Sequence, residues 1–482
     1  MTKFILLIFL SALIGHTFAQ NNSFYNNDIL LDTNQIIVSN IYIKGNKVTK
    51  KRIVLRELKF KKNDTISKKE LQNLILRSKE NLLNMSLFNY VSIETSAINN
   101  NKFNISINLE ERWYLWPYPI FEHADRNFSS FIHNQDWDRI NYGLFILKNN
   151  FRGRNEIFKI KARYGYKEQY LLNYKIPYID KRGKNGIEAS FAYFRQKEIA
   201  FNTFNNKLQF YQLQNYIREI FDIFVSYSYR PQWDFSHFFR LEYKNVNIAD
   251  TISILNSDYL GNSRKKISYF NLAYRFTSDK RDSKVYPLNG YVYSISATKY
   301  GLLKNSDVDK FYFDAIYSKY FKMNNNFYFN SGLKIRKSLK SDDVYFENRA
   351  LGYDDYLRAF EYNVIDGNDF FIFRSNLKYE IVSHKIKYYE FIPSNKFNKI
   401  HYSVYLNLFF DSGYVKDNVY NTNNTMLNEF LYSGGIGIDF VTYYDKIIRL
   451  EYAVNKFGNK GFFIHFGAPI LINNKKYNSG RL

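Results

Sequence analysis

The seven residues from Tyr356 to Tyr362, "YLRAFEY", place one guanidinium among aromatic side chains, shortly before the turn-forming pair Asp366-Gly367. A guanidinium taken out of water stays charged only where carboxylates and hydrogen-bond acceptors surround it, so its chemistry is pairing rather than bond making. Two later carboxylates suit that role. In "FFIFRSNLKYE", alternation sets Phe371, Phe373 and Leu377 on one face and Arg374, Asn376, Lys378 and Glu380 on the other. In "HYSVYLNLFFD" it sets Ser403, Asn407 and Asp411 opposite Tyr402, Val404, Leu406, Leu408 and Phe410. The expectation is that Arg358, with the aromatic Phe360 beside it, folds back to pair with Glu380 and Asp411. The competing reading is a solvated arginine on a surface loop.

Other constellations promise less. His123, Asp125, His133, Asp136 and Asp138 cluster in "FEHADRNFSSFIHNQDWD", but their spacing fits no ligand motif, and a polar linker accounts for them. Asp366, Asn368 and Asp369 do not follow an EF-hand order. No phosphate-binding loop appears, and nothing sets a serine nucleophile beside a base. The expectation is a protein that is not an enzyme and has neither cofactor nor metal. The net charge of +23 raises the question of nucleic acid. The N-terminus answers it. "MTKFILLIFLSALIGHTFAQ" reads as a secretory signal peptide over residues 1–19, so anionic lipid headgroups or an acidic partner suit the charge better. Biased codon usage is the plain alternative.

The elements that would position these residues fall into two regions. After a linker over 20–35, residues 36–112 read strand, helix, helix, strand, strand. "IIVSNIYIKGN" is the first strand, and Thr49 is the expected cap of the first helix. Ser67 and Glu70 stand at capping-box spacing before Leu71, Leu74, Ile75 and Leu82, which share one helical face. A second linker spans 113–138, with Trp113 and Trp116 as an aromatic anchor. From 139 to 482 the helical period vanishes. About sixteen alternating segments follow, from "INYGLFILKN" through "NKLQFYQLQ" to "GFFIHFG", each near the roughly 9–11 residues of a tilted membrane strand. Tyr 44 and Phe 45 in a chain of mean hydropathy −0.43, with Cys 0, fit strands that are apolar on one face only. The expected fold class is thus membrane all-β, a 16-stranded antiparallel transmembrane barrel behind one small α+β domain. The long connection 337–369 carries Arg358 and is expected to fold inward.

Five stretches carry a family resemblance. "IYIKGNKVTKKRIVLREL" and "NLLNMSLFNYVSIE" resemble a POTRA domain, the periplasmic module of BamA/TamA-like outer-membrane assembly factors; a mere αβ spacer is the alternative. "YLRAFEY" resembles the signature of the inward loop of that superfamily, with Ala359 where a glycine is usual. "RDSKVYPLNG" is similar to its barrel turn, matching at Asp282, Pro287 and Gly290. "FFDSG" resembles a further motif at Asp411. The C-terminal "LINNKKYNSGRL" departs from the usual terminal aromatic.

The resemblance implies a bacterial outer-membrane protein with its N-terminal domain in the periplasm. It would receive unfolded outer-membrane or secreted client proteins, alongside outer-membrane lipids and accessory periplasmic proteins, and bind no nucleic acid. A transporter of the two-partner secretion type, exporting one dedicated substrate, is the alternative; a passive porin or adhesin is a third reading. Gly434, Gly435 and Gly437 are the candidate seam between first and last strands, or else serve lumen packing.

Overall fold

The computed structural model describes residues 35–99, 101–123, 140–340, 344–394, 396–417 and 424–470. The expected signal peptide lies outside them, as does all but the last residue of the linker 20–35.

In the N-terminal domain, period-2 and period-3.6 faces converge on one core. β1 (Gln35–Lys44), α1 (Lys51–Glu57), β2 (Thr65–Ser67), α2 (Lys68–Leu83), β3 (Phe88–Asn99) and β4 (Lys102–Glu111) follow in order. The sheet runs β2-β1-β4-β3, with β1 parallel to β4 and the other pairs antiparallel. Val38, Ile105 and Ile107 from the sheet meet Val54 of α1 and Leu82 of α2, all fully buried. The Ser67 hydroxyl accepts from the Glu70 N–H at 3.2 Å, the cap that the spacing predicts. Two details differ from expectation. β2 adds a three-residue edge strand too short to show alternation. Thr49 is not the cap of α1, a position that Lys50 holds. It is instead buried between domains, its hydroxyl 3.2 Å from that of Tyr114 and accepting from Asn150 Nδ2 at 2.8 Å.

β5 (Leu115–His123) opens an antiparallel sheet of 16 strands that ends at Lys460–Phe466. The first barrel strand therefore lies inside the expected linker 113–138. Pro117 and Pro119 disguise it, because proline cannot donate to a ladder and ordinarily argues against a strand. Conversely, Lys207–Gln212, from the expected barrel segment "NKLQFYQLQ", pairs only with Glu198–Phe204 in a separate hairpin. One strand is missed and one is miscounted, so the total of sixteen is reached with a different membership.

The barrel strands alternate in the sense a bilayer imposes. Leu408 and Phe410 are 56% and 47% exposed, while Asn407 before them and Asp411 after them are at 0%. A polar interior inside an apolar outer surface is the reverse of a soluble sandwich. Among the described residues no helix is long and apolar enough to cross a membrane.

The N-terminal domain docks against one end of the barrel. Arg230, in the turn after Arg218–Tyr229, reaches both Glu57 carboxylate oxygens at 3.1 and 3.2 Å. Arg112 clasps Asp445 at 2.6 and 2.9 Å. Asn84, at the end of α2, takes the main chain of the turn 280–289, accepting from Lys284 N–H at 2.8 Å and donating to Asp282 O at 3.1 Å. The expected Trp113 and Trp116 anchor meets Phe397 and Tyr444, Trp116 lying 5.3 Å from Tyr444 edge-on. This cluster ties the start of the first strand to turns between the last ones.

Candidate functional site: a buried arginine in the barrel lumen

The long connection between Phe327–Lys340 and Asp369–Tyr388 folds into the lumen and carries Arg358 with it. The guanidinium is 1% exposed. Its Nε donates to Asp411 Oδ2 at 2.8 Å and its Nη2 pairs with Asp411 Oδ1, a fork-to-carboxylate contact. Nη1 donates to Glu451 Oε1 at 3.3 Å and Nη2 to Asn376 at 3.2 Å. The guanidinium carbon sits 3.8 Å above the Phe409 ring. Phe360 is buried next to it with Leu357 and Val415.

Glu380 is not a partner. It accepts instead from Tyr328 and Tyr405, at 3.1 and 3.5 Å. Arg374 is the residue opposite Asp411, and Glu380 lies six residues beyond it; at ~3.3 Å per residue that is roughly 20 Å along the strand. Glu451 takes its place from Lys446–Asn455, two strands round from that of Asp411. Alternation in "KIIRLEYAV" sets Arg449 and Glu451 opposite Ile448, Leu450, Tyr452 and Val454, but it does not report which residues of different strands meet inside the barrel.

Ala359 has φ +66, the left-handed region a glycine would favour. Asn455 Nδ2 holds it there by donating to its carbonyl at 2.8 Å. Replacing Ala359 with glycine removes the Cβ clash and is expected to stabilise the folded barrel by about 1 kcal/mol. The urea midpoint of the detergent-folded protein measures this; an unchanged or lower midpoint would refute it.

The second motif forms a turn with two contacts. The Asp282 carboxylate accepts from Ser283 and Leu288 N–H at 2.8 and 3.1 Å, and Pro287 is buried. Gly290, at φ +102, leaves no room for a Cβ, which would stand 2.2 Å from Lys280 O. Its outer side holds Asn84, as above. Its inner side sends Tyr286 into the lumen, where the hydroxyl donates to Asp439 at 2.7 Å and Lys378 lies 3.7 Å over the ring.

Gly434, Gly435 and Gly437 are not at the seam. They belong to Leu431–Thr442, which is paired on both sides. Two of them supply space inside. A Cβ on Gly435 would lie 2.7 Å from Phe409 Cζ, and one on Gly437 would lie 2.7 Å from Glu451 Cγ. These glycines let the ring and the carboxylate under Arg358 lie against the wall.

Sequence reasoning missed two further contacts of the loop. His465, on the last strand, stands 3.1 Å from Glu361 and 3.2 Å from the Tyr356 hydroxyl. Alternation in "GFFIHFG" puts Phe463 and His465 on one face, which was the available signal. Beyond that strand the chain turns inward at Gly467, and Pro469 O accepts from Arg374 Nη1 at 3.1 Å. Of the acidic and histidine cluster in the expected linker, His123 ends the first strand; Asp125, His133, Asp136 and Asp138 lie outside the described residues.

One small domain of this topology, followed by a sixteen-strand barrel with an inward arginine loop, invites comparison with known families. A POTRA model, described as surface antigen variable number repeat, matches residues 36–112. The Omp85 superfamily domain matches residues 150–468, more than half of the chain. The chain belongs to the Omp85 superfamily. Solved structures similar to this Omp85 protein include BamA from Haemophilus ducreyi lacking POTRA domains 1-3, at 15% identity over 90% of this chain and 83% of that one, with TM-score 0.49. CdiB from Acinetobacter baumannii is 12% identical over 90% and 74%, with TM-score 0.47. CdiB from Escherichia coli is 8% identical over 92% of each chain, with TM-score 0.49. No curated protein matches it.

Proposed function

We propose that this Omp85 protein sits in the bacterial outer membrane with its POTRA domain in the periplasm, and that it inserts client barrel proteins rather than catalysing a reaction. The observation that carries this reading is the seam. The last strand, Lys460–Phe466, has only 7 residues, and among the described residues no backbone pair joins it to the first strand. The links near the first strand bypass the last one and reach the turn before Lys446–Asn455, through Trp116 with Tyr444 and Arg112 with Asp445. A sheet edge without a backbone partner is a template to which an extended client can add. The Arg358 lock and the docked POTRA domain would hold the remaining wall in shape while the seam works.

The test is depletion of the protein with measurement of the folded outer-membrane proteome beside the secreted proteome. A joint fall of many barrel proteins is expected. Persistence of barrels with retention of one exported protein in the periplasm would replace this reading with that of a dedicated exporter.

A further inference from the structure

A cavity of about 480 Å³ lies where the POTRA domain meets the barrel, between α2 and the turns 230–234 and 279–284. A volume of that order suits a small ligand. The carboxylates that line it are already answered. Glu57 holds Arg230 as described above, Glu80 pairs with Arg77 at 2.8 Å, and both oxygens of Asp279 accept from Arg281 at 2.8 Å. Asp234 stands 3.9 Å from Lys59, whose ammonium also lies 4.1 Å over the Trp233 ring.

Lys284 is the exception. Asn84 fixes its main chain, but its ammonium has neither a hydrogen bond nor an ion-pair partner among the described residues. The side chain keeps solvent access, and it lines the cavity. The protein around it nevertheless pushes the ammonium below the usual lysine value, and Arg230 and Arg281 push the same way against Asp279 and Glu57. A cation so placed is short of negative charge.

The donors come from both domains. Lys284 belongs to the barrel, and Lys59 and Arg77 belong to the POTRA domain; Arg77 gives Glu80 only its Nη1 and keeps its other nitrogens for a further acceptor. A carboxylate offers two oxygens in one plane. A phosphate monoester offers three and carries a charge of roughly −1.5 to −2 at pH 7, so it can meet donors from both sides at once. Met85 and Ile157 add apolar wall for the organic part of such a molecule.

We propose that this cavity binds a phosphate monoester of headgroup size, held by Lys284 together with Arg77 and Lys59, and that the bound group bridges the POTRA domain and the barrel. Two sources carry that group, a soluble phosphate ester and a lipid headgroup. Neither requires that the protein inserts clients, so the site is independent of the reading above.

The experiment uses the full chain folded in detergent and two probes with the same phosphate, glycerol 3-phosphate and short-chain phosphatidic acid, each titrated by calorimetry. Lys284→Gln should weaken binding by about tenfold, or ~1.4 kcal/mol. Its side chain has no partner to lose, so the variant should keep the urea midpoint of the parent. Lys284→Arg retains the charge and should retain binding. Lys322→Gln removes an exposed lysine outside the cavity and should change nothing. Binding of glycerol 3-phosphate would place the source in solution, and binding of phosphatidic acid alone would place it in the membrane; either supports the site. No binding of either probe, equal binding by Lys284→Gln and the parent, or an equal loss in Lys322→Gln would overturn the proposal. Lys284-dependent binding of an oligoglutamate peptide in place of both probes would also overturn it, and would reassign the cavity to an acidic protein segment.

Discussion

Replacing Arg358 with alanine is expected to destabilise the folded barrel by about 3 kcal/mol, the low end of the ~3–5 kcal/mol for breaking a buried ion pair from one side. The reason is what remains. Asp411 is fully buried and Glu451 nearly so. The substitution removes the fork that neutralises Asp411 and the cation that lies over Phe409. The loss is moderated because Arg374 Nε stands 3.8 Å from Asp411 and Arg449 donates to Glu451 at 2.8 Å. Arg358→Lys should fall between, since an ammonium keeps the charge but not the planar fork. Glu380→Gln is the discriminating control and should shift stability by no more than about 0.5 kcal/mol. The readouts are the urea midpoint of the detergent-folded protein and protease cleavage within 356–362. An Arg358→Ala midpoint equal to the parent, or a Glu380→Gln loss as large as that of Arg358→Ala, would sink the assignment.

That contrast between Glu380 and Glu451 marks how far the sequence could be read. Alternation reports which face a side chain occupies, and for Asp411, Asn407, Glu451 and Leu408 it reports it correctly. It does not report height along the barrel or curvature around it. Two carboxylates on the lumen face are therefore equivalent in sequence, though only one reaches the arginine. The first strand was hidden by a rule that holds for interior strands: Pro117 and Pro119 exclude a strand with neighbours on both sides, not one with a free edge. The hairpin at 198–212 failed for the opposite reason. Its alternation is as good as that of a barrel strand, and only its pairing partner tells them apart. Ala359 is the instructive departure. The expected glycine is absent while the left-handed backbone is kept, with Asn455 fixing the carbonyl.

Breaking the POTRA contact at Glu57 is the other large effect expected. The Glu57 side chain is 2% exposed and Arg230 is 25% exposed, so water discounts the pair below a fully buried one, and Glu57→Gln should weaken docking by about 2 kcal/mol. Arg56 also pairs with Glu57, and its main chain accepts from the Trp233 indole at 3.0 Å, so the lesion should loosen the turn 230–234 with the helix. The second clasp, Arg112 to Asp445, is independent of the first, and Glu57→Gln with Arg112→Ala should release the domain. Distances between spin labels on α2 and the barrel, together with cleavage at 112–114, measure the release. Acid should act on both clasps at once. Burial alone would raise the Glu57 carboxyl, but Arg230 and Arg56 together hold it below its usual 4.5. Burial would likewise raise Asp445, and Arg112 with Ser86 holds it below 3.8. A carboxylate depressed in the docked state contributes its full stabilisation above its ordinary value and loses it as pH falls through the lowered one. Docking should therefore be constant from about pH 7 to pH 5 and weaken only below roughly pH 4. Label distances that broaden already between pH 7 and pH 5 would contradict this, and would assign the junction to a group that titrates near neutrality.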